Sequence, residues 1–232
     1  MPVSPGLLLL ADSRLPAGGH THSGGLEAAA ATGSVADLDG LAGFLRGRLA
    51  TAGLVSAGLA AAACQHAAQV AGGGVPRWPE LIAEAAARTP SPAQRRASCA
   101  QGRALMRAAR AAWRVPALDT LAAAVGPEGS YHPLVLGACA SAAGGMPADA
   151  AVIAATASVT GPASAAVRLL GLDPLAVHGM LAGLAAHIAS VGRSAAAAAA
   201  GGDWAALPAA CSPGLDLLAE RHAREEVALF ES

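Results

Sequence analysis

Apolar positions along this chain recur at helical rather than strand spacing. Leu38, Leu41, Leu45 and Leu49 follow one another at intervals of three and four, which predicts a helix with one buried face. After Asp173-Pro174, a natural helix start, Val177, Leu181, Leu184, Ile188 and Val191 keep a four-three rhythm and predict a single amphipathic helix. Gly and Pro punctuate the rest. They predict a short helix over Leu7 to Asp12 and a second capped by Ser23, entered through Gly24, Gly25 and Leu26, with Glu27 in its first turn. An Ala-rich helix follows Leu49 and ends by Gly72-Gly73-Gly74, a short one follows Pro79, and a long one runs from Pro92 to Arg114. A Gly-rich helix is expected beyond Pro133, another from Pro147, then a turn at Gly161-Pro162 and a last helix from Pro213 to Phe230. The Ala and Gly tract from Ser194 to Gly202 either extends the preceding helix or forms a joint.

Composition supports that pattern. Ala, which loses no side-chain entropy in a helix, dominates a chain of 232 residues that is 54% hydrophobic. The expected fold is an all-α, Ala-rich, single-domain bundle of roughly ten helices over residues 1–232. A mean hydropathy of +0.46 raises a membrane reading. Gln65, His66, Asp149, Pro162 and Arg168 break the apolar runs, so no transmembrane span is expected. The first ten residues lack a positive start and Asp12 and Arg14 follow at once, so no secretory signal is expected and the location is read as cytoplasmic.

Cys64, Cys99, Cys139 and Cys211 lie far apart without metal-finger spacing and read as buried free thiols. All 15 basic residues are Arg. A chain without Lys lacks the residue with which a Walker A loop reaches the β- and γ-phosphates, so it is not a standard P-loop NTPase. No G-x-S-x-G elbow, H-E-x-x-H pair or recognisable cysteine nucleophile occurs, and no enzyme activity is expected.

Two constellations remain. The loop Gly18-Gly19-His20-Thr21-His22-Ser23-Gly24-Gly25 precedes a helix start, where backbone N–H groups can cradle an anion. His20 and His22 are candidate metal ligands, but they form half a site, and a structural or partner-facing role is favoured over ligation. A metal-dependent enzyme built on the pair stays open as an alternative. The second constellation is a stripe of Arg96, Arg103, Arg107, Arg110 and Arg114 on the helix from Pro92, which with Arg88 and Arg95 forms a run of seven arginines without an acidic residue. It suits a solvated face, a dock for an acidic protein or a nucleic-acid contact. The formal net charge of −1 and the scarcity of aromatic side chains weigh against nucleic acid.

The run from Leu7 to Glu27, LLLLADSRLPAGGHTHSGGLE, resembles the N-terminal signature of the UreF family of urease accessory proteins. Gln101 to Met106 is similar to that family's Gly-x-x-Leu-Leu helix, His132 to Gly137 to its His-Pro-x-x-x-Gly segment, and Pro213, Asp216, His222, Phe230 and Ser232 to its closing motif. The resemblance implies an all-α homodimer that binds UreD (also called UreH), recruits the GTPase UreG and engages apo-urease for nickel insertion. It implies no cofactor of the chain's own, with nickel and GTP handled by the complex, and neither nucleic acid nor membrane as a partner. By the same resemblance Pro16, Gly18, Gly19, Ser23, Gly25, Leu26 and Glu27 belong to an N-terminal docking segment over 1–27. Residues 213–232 would be a C-terminal docking segment that meets UreD. His20 stands where the family has Phe or Tyr, Ala223 and Ala228 where it often has Glu and Arg, and its second Gln after Arg168 is missing.

Overall fold

The computed structural model describes residues 4–12, 14–17, 22–126 and 129–224. Over these residues the chain is all-α, with eleven helices and no strand. They are α1 (Pro5–Ala11), α2 (Leu26–Ala31), α3 (Leu38–Ala71), α4 (Trp78–Ala87), α5 (Pro92–Ala112), α6 (Pro116–Ala124), α7 (His132–Ala142), α8 (Pro147–Leu170), α9 (Pro174–Gly183), α10 (Ala185–Ala200) and α11 (Pro213–His222). A 3-10 turn covers Trp204–Ala206.

The starts of these helices are written locally. Pro stands in the first two positions of α1, α4 to α9 and α11, where its missing N–H costs nothing. Asp37, Ser91 and Asp173 accept backbone N–H groups from Gly40, Gln94 and Leu175, which would otherwise be orphaned.

The centre is the second half of α3, wrapped by α7, α8 and α10, with α5 packed on α7. Ala57, Ala60 to Ala63, Cys64 and Ala67 are buried on several faces of α3, so this helix is apolar nearly all round. Small side chains let the helices approach closely. A Cβ on Gly137 of α7 would sit 2.2 Å from the Ala60 carbonyl oxygen, and one on Gly102 of α5 would sit 1.9 Å from that of Ser130. Both positions therefore require glycine.

Several expectations are corrected. No turn forms at Gly161-Pro162, because α8 continues through the proline and buries it. The predicted helix from Pro174 is two helices, α9 and α10, bent by 47° at Leu184. The stripe survives that bend, with Val177, Leu184 and Ile188 buried on α8 and its neighbours. His187, one residue before the buried Ile188 on α10, is exposed. The Ala tract extends α10 as far as Ala200. The last helix ends at His222 within the described residues.

By length and composition, α3 and α8 are long and apolar enough to cross a membrane, and α9 with α10 would be a third such segment. The polar interruptions do not prevent this, contrary to expectation. About half or more of the apolar window is buried inside the bundle in each, 61% for α3 and 50% for α8.

Cys64, Cys99 and Cys139 are buried and form no disulfide, and burial pushes the thiols of Cys64 and Cys139 up to about 12. Cys211 departs from the expectation and is exposed.

Candidate functional site

The two terminal segments singled out in the sequence meet each other. Gly25 has φ +89° and enters α2, and Ser23, fully buried, accepts the Glu27 backbone N–H at 3.3 Å. Gly25, not Ser23, stands at the cap position, so the serine acts from two residues before the cap. From the other end α11 lies across α2 and α5. Glu27 Oε2 lies 3.5 Å from His222 Nε2, with both side chains largely buried. Leu215, also buried, packs over Gly25.

A second fastening was not legible beforehand. Glu220 accepts hydrogen bonds from the Ser91 hydroxyl at 2.5 Å and the Ala93 N–H at 2.8 Å, and so closes the N-terminus of the 21-residue α5. These bonds, the one from Ser91 foremost, hold the Glu220 carboxyl below its usual range. Carboxylate at a helix N-terminus also suits the helix dipole.

Beneath this closure is a cavity of about 240 Å³. Its wall includes His22 and Gly24 from the N-terminal turn, Arg48 from α3, Gln101 from α5, His132 from α7 and Asp216 from α11. Burial, reinforced by His22, pushes His132 down to about 4, so its ring is neutral at pH 7. Burial and then Glu220 raise the Asp216 carboxyl.

Arg48 explains why α8 tolerates Pro162. A proline cannot donate to the carbonyl four residues back, here that of Ser158. Arg48 Nε donates to this oxygen at 2.9 Å, while Nη1 donates to the Gly24 carbonyl at 2.7 Å. At the same level α3 carries a π-helical turn over Leu49–Gly53. The backbone irregularities of the two helices thus share one side chain. The signal in the sequence was an arginine seven residues after Leu41, on the buried face, together with a proline in an Ala-rich run.

Arg96, Arg103, Arg107 and Arg110 are exposed on α5, as the stripe predicts, whereas the helix ends at Ala112 and leaves Arg114 exposed just beyond it. Arg110 pairs with Asp119 at 2.9 Å. Arg88 is corrected out of this face. Its guanidinium is buried, paired with Glu84, and donates to the carbonyls of Trp204, Ala205, Leu207 and Pro208, which ties down the segment after α10.

Pro16 and Pro213 are exposed, whereas Ser23, Gly25, Leu26 and His222 are buried and Glu27 and Asp216 half-buried. Gly18, Gly19, His20, Phe230 and Ser232 lie outside the described residues. So does half of the His20 and His22 pair, and among the described residues no group of three or more His, Cys, Asp or Glu side chains could hold a metal ion.

The comparisons with known proteins decide the family. The UreF family model matches residues 35–185, a stretch that includes neither end signature. Relatives carry the match to both ends. The chain is 44% identical to the urease accessory protein UreF of Mycobacterium sp. (strain JLS) over 226 residues, 97% of each chain. It is 43% identical to that of Mycolicibacterium vanbaalenii over 230 residues and 38% to that of Mycobacterium tuberculosis (strain ATCC 25618 / H37Rv) over 226, again 97% of each chain.

The chain belongs to the UreF family of urease accessory proteins. Family membership makes sense of the mid-chain pieces of the resemblance, since Gly102 and Gly137 are the two close-approach positions described above.

Proposed function

We propose that this chain is a non-catalytic co-chaperone for nickel insertion into apo-urease. In this reading it works in the cytoplasm as a homodimer, bridging UreD (UreH) and the GTPase UreG to apo-urease, which leaves nickel and GTP to the assembled complex. The observation that carries the reading is the joining of both family signatures by Glu27 and His222 into one composite surface of α2 and α11. A partner that meets one terminal segment there meets the other as well. The exposed arginines of α5 adjoin α11 and offer an acidic protein a positive surface.

Co-expression with UreD and UreG, followed by affinity capture and size-exclusion chromatography, tests this. The expected result is a complex containing all three chains and restored urease activation in a strain lacking its own family member. Failure to bind either protein at micromolar concentration overturns the reading.

A further inference from the structure

Arg48 carries more charge than its structural task requires. A neutral amide would satisfy the carbonyls of Ser158 and Gly24, whereas a guanidinium brings a full charge that burial disfavours. Burial is the cause that pulls Arg48 down to about 10, still protonated at neutral pH. Among the described residues no carboxylate bonds to it, and Nη2 is left over from its two bonds. Asp216, on the same cavity wall, is not its counter-ion, because the Asp216 carboxyl is raised rather than lowered.

The wall around Arg48 supplies further neutral donors. The Gln101 amide and the Ser56 hydroxyl line the cavity, and the Ser98 hydroxyl, which accepts the His132 N–H at 3.1 Å, keeps its own proton to give. A half-buried guanidinium that no described carboxylate pairs, beside several neutral donors in a 240 Å³ space, is the chemistry of an oxyanion site. We propose that this cavity binds a small oxyanion, of the carboxylate or inorganic phosphate class, through Arg48 Nη2 and the side chains of Gln101, Ser56 and Ser98. The site is separate from the protein-binding surface proposed above and lies beneath it, so the anion would fasten the N-terminal turn, α3 and α5 together under α11.

The test uses the full chain and titrates sodium phosphate and, separately, sodium acetate against sodium chloride at constant ionic strength. Binding is read by calorimetry, by the arginine side-chain nitrogen resonances and by the pH titration of the His132 ring. The expected result is saturable binding at one site, a shifted Arg48 resonance and an upward move of the His132 titration. Phosphate alone binding assigns the inorganic class, acetate alone the carboxylate class.

Arg48→Gln is expected to weaken binding by about ten-fold or more. Should that variant fail to fold, Gln101→Leu removes a donor and Ala157→Leu fills the cavity mouth without touching the bonds to Ser158 and Gly24. Each is expected to weaken binding several-fold. Equal responses to chloride, or unchanged binding in both leucine variants, overturn the proposal.

Discussion

Glu27 Oε2 and His222 Nε2 stand 3.5 Å apart, and through this pair the start of the chain holds its end. Neither side chain is free to face a partner on its own. Glu27→Ala is expected to cost about 1–3 kcal/mol by leaving the buried imidazole without its carboxylate. Hydrogen exchange should then accelerate over residues 213–222 while α7 stays protected. Unchanged exchange in α11 would show that the contact fastens nothing.

Arg48 and Pro162 are expected to be energetically coupled through the Ser158 carbonyl. In the native protein, Arg48→Ala orphans that oxygen. In a Pro162→Ala background the new backbone N–H of residue 162 serves it instead. A double-mutant cycle should therefore find Arg48→Ala less costly in the second background, by on the order of 1–2 kcal/mol. Strict additivity would sink the explanation.

Gly102 and Gly137 are expected to reject even a methyl group. Gly137→Ala drives its Cβ against the Ala60 carbonyl and Gly102→Ala against that of Ser130. Each should destabilise the fold by roughly 2–4 kcal/mol in urea denaturation, the overpacking range extended because backbone cannot yield. Gly43→Ala, with nothing within 4 Å, serves as the control and should be neutral or slightly stabilising.

Stability is expected to fall below neutral pH through His132. Burial and then His22 hold this ring at about 4, below its ordinary 6.5. Between those values the unfolded chain binds a proton that the folded chain does not. The contribution is thus fully present above pH 6.5 and is lost progressively as pH falls toward 4, amounting to at most about 3 kcal/mol. His66, buried beside Trp78 and Trp204 and also lowered by burial, acts in the same direction. Replacing His132 by Gln should flatten the pH dependence of urea midpoints between pH 6.5 and 4.

The ends of the helices were readable because caps and prolines act over three or four residues, as Asp37, Ser91 and Asp173 show. Pro162 was misread by the same local logic. A proline usually ends a helix because one carbonyl loses its donor, and here the replacement donor comes from 110 residues away. Arg88 was misplaced for a similar reason. Sequence proximity put it with the arginines of α5, but four carbonyls between residues 204 and 208 turn it inward.

The bend between α9 and α10 left no trace in the apolar rhythm, since Val177, Leu184 and Ile188 remain buried on both sides of it. Of the site, the two end signatures were legible as motifs, and their union was not. Glu220 carried no motif at all. Its role depends on α11 reaching the N-terminus of α5.

By itself the amino-acid sequence determined the all-α class, most helix starts, the exposed arginine face of α5 and the family resemblance. Each rests on composition or on interactions within a few residues. Only the tertiary structure decided which charges are buried, that α2 and α11 pair through Glu27 and His222, and that a cavity lined by Arg48, which no described carboxylate pairs, lies beneath them. Those outcomes depend on donors and acceptors far apart in the chain, and their pairing is set by how α2, α3, α5, α8 and α11 pack.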